Sequence, residues 1–184
     1  MLFKRLMIIL ILSLFSICDS VNAQLNKQQN RLLMELKYGT VIIEMLPKLA
    51  PLHVERIKEL VKAGFYDGLV FHRVIEGFMA QGGDPTGSGR GGSGRNIPAE
   101  FSKERHVRGT VSMARASDPD SADSQFFIVF QTASWLDGKY SIWGRVVAGM
   151  EYVDKLKRGD KAAGGLVENP DKILRMTLTT DVEE

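Results

Sequence analysis

Short β-prone runs, each bounded by glycine, proline, aspartate or serine, recur along the chain from about residue 31 onwards. The first two runs, 32–36 and 40–45, are separated by Tyr38 and Gly39, and a glycine here can adopt positive φ, which favours a hairpin with a tight turn. Further runs lie at 69–74, 109–114, 125–130, 140–147 and 173–180. A series of short strands separated by turns is typical of an antiparallel barrel or sandwich.

Two segments have helical rather than strand periodicity. In segment 51–64 the apolar residues recur at spacings of three and four, which predicts an amphipathic helix that ends at the closing glycine. A second helix is predicted over 149–158, where Met150, Val153 and Leu156 share one face. We expect the first helix to cover one face of the sheet.

Composition limits the classes of protein that the chain can form. A length of 184 residues is enough for one domain with a full hydrophobic core. Contents of 44% hydrophobic and 25% charged residues argue against disorder and against a multi-pass membrane protein. The net charge is +2, and lysine and arginine are scattered among acidic residues, so nucleic acid is not expected as a partner.

The N-terminus has the layout of a signal peptide. Lys4 and Arg5 precede an apolar run over 6–17, which is too short for a transmembrane helix, and small residues at Val21 and Ala23 suit a signal peptidase. We predict a signal peptide over 1–23, cleavage after Ala23, a flexible lead over 24–30, a single domain over 31–184 and a periplasmic location. An uncleaved membrane anchor is one alternative. A lipoprotein modified at Cys18 is another, although the residue before this cysteine should be small and is Ile17. Cleavage would also remove Cys18, the only cysteine.

Glycine is dense between residues 82 and 94, and we predict a long ordered loop there. It does not match a phosphate-binding loop, because no Gly-Lys-Ser/Thr and no helical pattern follow. The three histidines lie in unrelated contexts without a two-histidine helical motif, so no metal site is expected. The Gly-Ser-Gly runs lie inside the loop rather than at a strand-to-helix elbow, which argues against a serine hydrolase.

Three segments combine large apolar side chains with a cation or an amide. They are 71–84 (FHRVIEGFMAQGGD), 124–128 (SQFFI) and 135–140 (WLDGKY). In this order they resemble the motifs of the cyclophilins, and the similarity extends from about Leu33 to Thr179. The resemblance implies a mainly β fold, a closed eight-stranded antiparallel β-barrel capped by two α-helices, and peptidyl-prolyl cis/trans isomerase activity without a cofactor.

Isomerisation requires no covalent chemistry. Rotation about an X-Pro bond crosses a barrier of roughly 18 to 20 kcal/mol that comes from amide resonance. A catalyst must therefore bind the twisted amide better than either planar isomer. Twisting localises a lone pair on the prolyl nitrogen, and a rigid, permanently charged guanidinium is suited to donate a hydrogen bond to it.

The resemblance assigns roles to individual residues. Arg73 and Gln81 match the family's catalytic positions, and Arg115 is expected to bind the substrate through its main chain, so that its side-chain type matters little. Tyr140 departs from the family, in which histidine is common at this place. The matching substrate-binding positions are Phe78, Met79, Ala114, Arg115, Ala116, Gln125, Phe127, Trp135, Leu136 and Tyr140.

The expected partners are proline-containing polypeptides that are folding or being exported. We expect the protein to be a monomer. Cyclosporin is an expected inhibitor, because Trp135 matches the indole that donates to this drug in the family. Two other classes remain open. One is a non-catalytic peptide-binding chaperone, but such a protein is expected to have lost the catalytic cation, and Arg73 is intact. The other is a structural envelope protein, which would need exposed features beyond the barrel that the short tails do not provide.

Overall fold

The computed structural model describes residues 30–181, in which eight antiparallel strands form one curled sheet. The predicted signal peptide and most of the predicted flexible lead lie outside the described residues. The strands are β1 (Arg31–Leu36), β2 (Gly39–Met45), β3 (Arg73–Ile75), β4 (Met79–Gly82), β5 (Thr110–Met113), β6 (Phe126–Val129), β7 (Ile142–Ala148) and β8 (Arg175–Leu178). The helices are α1 (Pro51–Lys62) and α2 (Met150–Val153), with short 3-10 helices at Pro119–Ser121, Ser134–Leu136 and Thr179–Asp181.

The sheet is open, so the prediction of a closed barrel is wrong. Its order is β3-β4-β6-β5-β7-β2-β1-β8, which leaves β3 and β8 as edges that share no ladder. The outer edge of β3 pairs instead with the loop 159–167, where the N–H of Val74 donates to the carbonyl of Gly165 at 2.8 Å. Both Gly164 and Gly165 have positive φ in this loop. An irregular segment therefore occupies the edge of β3 that would have to pair with β8 to close the barrel. The sheet is a curled half-barrel.

The hydrophobic core lies inside the curl and is covered by α1. This helix begins with Pro51, where the missing N–H costs nothing, and it ends before Gly64, whose φ is +65°. Its buried residues pack against β7 and β8, which confirms the predicted amphipathic helix. Those buried residues are His53, Val54, Ile57, Leu60 and Val61.

Three elements differ from the sequence prediction. Strand β3 covers Arg73–Ile75 and overlaps the predicted run 69–74 at two residues only. Helix α2 is much shorter than the predicted 149–158, because the N–H groups of Lys155 and Leu156 already donate to carbonyls three residues back instead of four. The N–H of Lys157 then donates to the carboxylate of Asp171 at 2.8 Å. Strand β4 was not predicted at all, since it runs into the glycine-dense segment. Gly82 in β4 is closely packed, because a Cβ there would lie 3.2 Å from the carbonyl oxygen of Val70, which is tighter than ordinary van der Waals contact.

Candidate active site

The register of three strands aligns polar and apolar site residues. Arg73 in β3 is opposite Gln81 in β4, and Gln81 is opposite Phe127 in β6. Opposed residues of neighbouring strands project from the same face. This face is the outer one. Phe126 belongs to the main core inside the curl, whereas Phe127 belongs to a separate cluster on the opposite face.

A chain of hydrogen bonds fixes the polar side chains. Nη1 of Arg73 donates to Oε1 of Gln81 at 3.2 Å, and Nε2 of Gln81 donates to Oε1 of Gln125 at 2.9 Å. Gln125 in turn donates to the carbonyls of Gly89 and Gly91 at 3.1 and 2.8 Å. The glycine-rich loop is thereby joined to the strand that carries Gln81.

Arg73 has no carboxylate partner within residues 30–181. Its Nε donates to the carbonyl of Gly164 at 2.9 Å, so that both of its acceptors are neutral. The side chain is partly buried. Its positive charge is therefore held in a fixed orientation without an anion to neutralise it, which leaves donors available to a ligand.

The apolar side of the site is a second hydrophobic cluster. Its buried members are Met79, Phe127, Val129, Ala133 and Leu136, and Ile75, Phe78, Ala114 and Tyr140 pack against it. The ring of Tyr140 meets that of Phe127 edge-on, with centroids 5.7 Å apart, and the ring of Phe78 lies 5.5 Å from that of Trp135. Trp135 is 58% exposed, which leaves its indole accessible at the rim.

A cavity of about 570 Å³ lies between these polar and apolar sides. The predicted residues that line it are Arg73, Phe78, Met79, Gln81, Ala114, Arg115, Phe127, Trp135, Leu136 and Tyr140. The remaining two, Ala116 and Gln125, line an adjoining cavity of about 430 Å³. The structure thus brings all of the predicted site residues into one groove, although their individual roles stay predictions.

Sequence reasoning missed several residues that line the larger cavity. Among them are Ser88, Gly89 and Arg90 of the glycine-rich loop and Leu166 of the loop beside β3. Arg90 is the only cation between residues 82 and 94, which is a signal that could have been noticed. Leu166 has no such signal, because its position depends on contacts between distant parts of the chain.

The side chain of Arg115 has contacts that the sequence did not predict. Its guanidinium lies 4.7 Å from the ring centroid of Tyr140 and donates to the carbonyl of Lys139 at 3.1 Å. It also donates to the carbonyl of Ala116 at 2.8 Å. These contacts hold the guanidinium against the Tyr140 ring at the pocket wall.

A buried histidine supports the apolar wall from behind. The ring of His106 stacks on Phe127 with centroids 6.3 Å apart, its Nδ1 lies 3.0 Å from Oδ1 of Asp137, and its Nε2 lies 2.9 Å from Oγ of Ser112. Burial lowers the pKa of His106, and the hydrogen bond with Asp137 opposes this shift. Because Asp137 directly follows Trp135 and Leu136, this neutral ring connects two walls of the pocket.

Two further properties bear on the class of protein. Within residues 30–181 no group of three or more histidine, cysteine, aspartate or glutamate side chains is arranged to hold a metal ion. No helix of that range has the length and hydrophobicity needed to cross a membrane.

The fold and the groove define a protein of the cyclophilin-like class. The family model described as "Cyclophilin type peptidyl-prolyl cis-trans isomerase/CLD" matches residues 31–178. The chain belongs to this family, and it is a cyclophilin-type peptidyl-prolyl cis-trans isomerase.

Relatives and solved structures agree with this assignment. A probable peptidyl-prolyl cis-trans isomerase of Brucella suis biovar 1 (strain 1330) is 49% identical over 167 residues, which cover 84% of this chain and 85% of that protein. The peptidyl-prolyl cis-trans isomerase of Helicobacter pylori is 44% identical over 66% of this chain and 77% of that protein.

Two crystal structures show the likeness in three dimensions. Cyclophilin AquaCyp293 from Hirschia baltica has a TM-score of 0.76 and 30% identity over 85% of this chain and 76% of that one. A Cryptosporidium parvum cyclophilin-type isomerase crystallised in the presence of the dipeptide Ala-Pro has a TM-score of 0.74 and 30% identity, and the match covers 80% of this chain and 98% of that one.

Proposed function

We propose that this chain accelerates rotation about X-Pro bonds in folding or exported polypeptides, with Arg73 and Gln81 acting on the rotating amide. The observation that carries this proposal is the guanidinium of Arg73, which two neutral acceptors orient beside the cavity. The dipeptide Ala-Pro accompanies the similar Cryptosporidium protein, and this supports proline-containing peptides as the substrate class.

The proposed mechanism is differential binding of the twisted amide. The prolyl ring enters the apolar wall formed by Met79, Phe127 and Leu136, while the preceding residue rotates. As resonance is lost, the prolyl nitrogen becomes a hydrogen-bond acceptor, and Arg73 donates to it. This bond strengthens only as the barrier is climbed, so it lowers the activation free energy rather than the ground state. Gln81 holds the substrate carbonyl or a water molecule beside Arg73.

The peptide backbone on either side of the proline has separate binding positions in this proposal. The main chain of Arg115, together with Ala114, Ala116 and Gln125, binds the residues before the proline. Trp135 contacts the bound peptide at the rim of the groove. The cavities that these residues line are continuous in their lining, since Gln81, Ala114 and Arg115 belong to both.

The decisive experiment for the activity is exchange spectroscopy on an Ala-Pro peptide with protein purified from the periplasm of a Gram-negative host. Enhanced cis/trans exchange at substoichiometric protein supports the proposal. Peptide binding without enhanced exchange would instead support a non-catalytic chaperone.

We also propose a periplasmic, monomeric enzyme that is released after cleavage behind Ala23. The charged start, the short apolar run and the small residues before the cleavage position support export and cleavage. Intact mass of the periplasmic protein should correspond to a chain that begins at Gln24. Retention of residues 1–23 would contradict cleavage and favour the membrane anchor.

A further inference from the structure

The larger cavity has a strongly one-sided charge. Arg73, Arg90 and Arg115 line it, and no aspartate or glutamate of the described chain does. A cleft lined by charges of one sign concentrates its field and attracts ligands of the opposite sign. The net charge of the whole chain is only +2, so this distribution is local to the groove.

None of these three arginines is neutralised within the described residues. Arg73 donates to a carbonyl and an amide oxygen, and Arg115 donates to main-chain carbonyls. Arg90 is exposed, and its guanidinium has no hydrogen bond or ion pair to any residue in 30–181. Several arginines elsewhere do pair with carboxylates, namely Arg56, Arg95, Arg108, Arg145 and Arg158.

Two carboxylates, those of Asp84 and Asp123, accept hydrogen bonds from the glycine-rich loop beside the groove. Asp84 is buried and accepts hydrogen bonds from the N–H groups of Thr86 and Gly89. Asp123 lines the smaller cavity and accepts hydrogen bonds from the hydroxyl of Ser93 and from the N–H of Gly94. Arg90 and Arg115 line both cavities. The combined groove therefore holds three arginines against one carboxylate.

We infer that the groove selects proline segments with an acidic side chain one or two positions before the proline, which Arg90 and Arg115 attract. The inference rests on the proposed function, which directs the residues before the proline toward Ala114 and Arg115. Glutamate or aspartate at these positions meets two cations, whereas lysine is repelled. Arg90 is then a specificity-determining residue, because its charge is not needed for rotation of the amide.

The test uses peptides that differ only in glutamate, glutamine or lysine at one of these two positions. Exchange spectroscopy gives kcat/KM for each with the periplasmic protein. At low ionic strength kcat/KM for the glutamate peptide should be about 5- to 10-fold higher than for the lysine peptide at one of the two positions at least. This is the effect expected of two partly exposed charge pairs. In about 0.5 M NaCl the ratio should approach one, because salt screens exposed charges. Equal values for the three peptides at both positions would overturn the inference.

A matched pair of variants assigns the selectivity to the loop. Arg90→Gln should lower the glutamate-to-lysine ratio at least twofold, whereas Lys62→Gln, the same charge change on α1, should leave it unchanged. An unchanged ratio in Arg90→Gln would contradict the role of Arg90. If no peptide is isomerised, the proposed function fails, and chemical-shift titration of the same peptides still measures whether glutamate binds more tightly than lysine.

Discussion

The two faces of β6 are equally buried but have different uses. Phe126 and Ile128 point into the main core, whereas Phe127 and Val129 belong to the outer cluster at the groove. All four side chains are at most 5% exposed. Burial alone therefore does not separate residues that hold the fold together from residues that form the pocket.

What differs between the faces is the second layer of packing. The ring of Phe126 meets those of Tyr66, Phe71 and Trp143 edge-on at centroid distances of 5.7, 6.3 and 5.9 Å. Phe127 has His106 behind it and Tyr140 beside it, and it lines the cavity. The inner face is enclosed by protein, whereas the outer face borders the larger cavity.

Truncation of the two neighbouring phenylalanines should separate stability from activity. Phe126→Ala should lower the free energy of unfolding by about 3 to 5 kcal/mol, because it leaves an enclosed cavity. Phe127→Ala should cost about 2 kcal/mol, since the vacated space opens to solvent, and should lower kcat/KM about 10- to 100-fold. Urea unfolding and exchange spectroscopy measure both effects. Equal destabilisation by the two variants would remove the distinction between the faces.

Arg73→Ala should affect only the outer face. Loss of one donor to the twisted amide is expected to lower kcat about 100- to 1000-fold. The free energy of unfolding should fall by only about 1 kcal/mol, because the guanidinium is not a core contact and loses only its hydrogen bonds to Gly164 and Gln81. Arg73→Lys keeps the charge but loses the directed donors, so it should remain far below wild type. Near-normal turnover of folded Arg73→Ala would refute the mechanism.

Trp135→Phe should weaken cyclosporin binding and leave the fold intact. The indole N–H is a directed donor at the exposed rim, and phenylalanine has no such donor. We expect the binding free energy to fall by about 1 to 3 kcal/mol, with a smaller loss of activity. Inhibition constants of the two proteins measure this. Equal constants would show that the indole does not contact the drug.

Acid should destabilise the fold through its buried histidines. Burial lowers the pKa of His53, His72 and His106, and the hydrogen bonds of His53 with Glu100 and of His106 with Asp137 only oppose this. Below pH of about 6.5 the histidines of the unfolded chain are protonated while those of the folded chain stay neutral. The free energy of unfolding therefore decreases as the pH is lowered. Each histidine contributes at most about 1.4 kcal/mol per pH unit until its lowered folded pKa is reached. Urea unfolding from pH 7.5 to 5 measures the slope, and a flat profile would contradict these environments.

The motifs predicted the groove better than periodicity predicted the fold. Segments 71–84, 124–128 and 135–140 named residues that line it, because those residue types match a family directly. The open edge of the sheet escaped prediction, since it depends on the loop 159–167 pairing with β3. Leu166 escaped for a similar reason, because tertiary contacts bring it to the cavity. Arg90 is different, since it is the only cation in the glycine-dense segment and therefore had a signal in the sequence.

One tryptophan lies on each side of the sheet, Trp143 in β7 and Trp135 in the 3-10 helix at the groove, which permits a direct test. Trp143 is fully buried in the main core, and Trp135 is exposed at the groove. In a ¹⁵N–¹H spectrum, titration with an Ala-Pro peptide should shift or broaden the indole signal of Trp135 and leave that of Trp143 in place, with Trp135→Phe providing the assignment. A shift of Trp143 alone, or of neither signal at saturating peptide, would contradict an outer-face site.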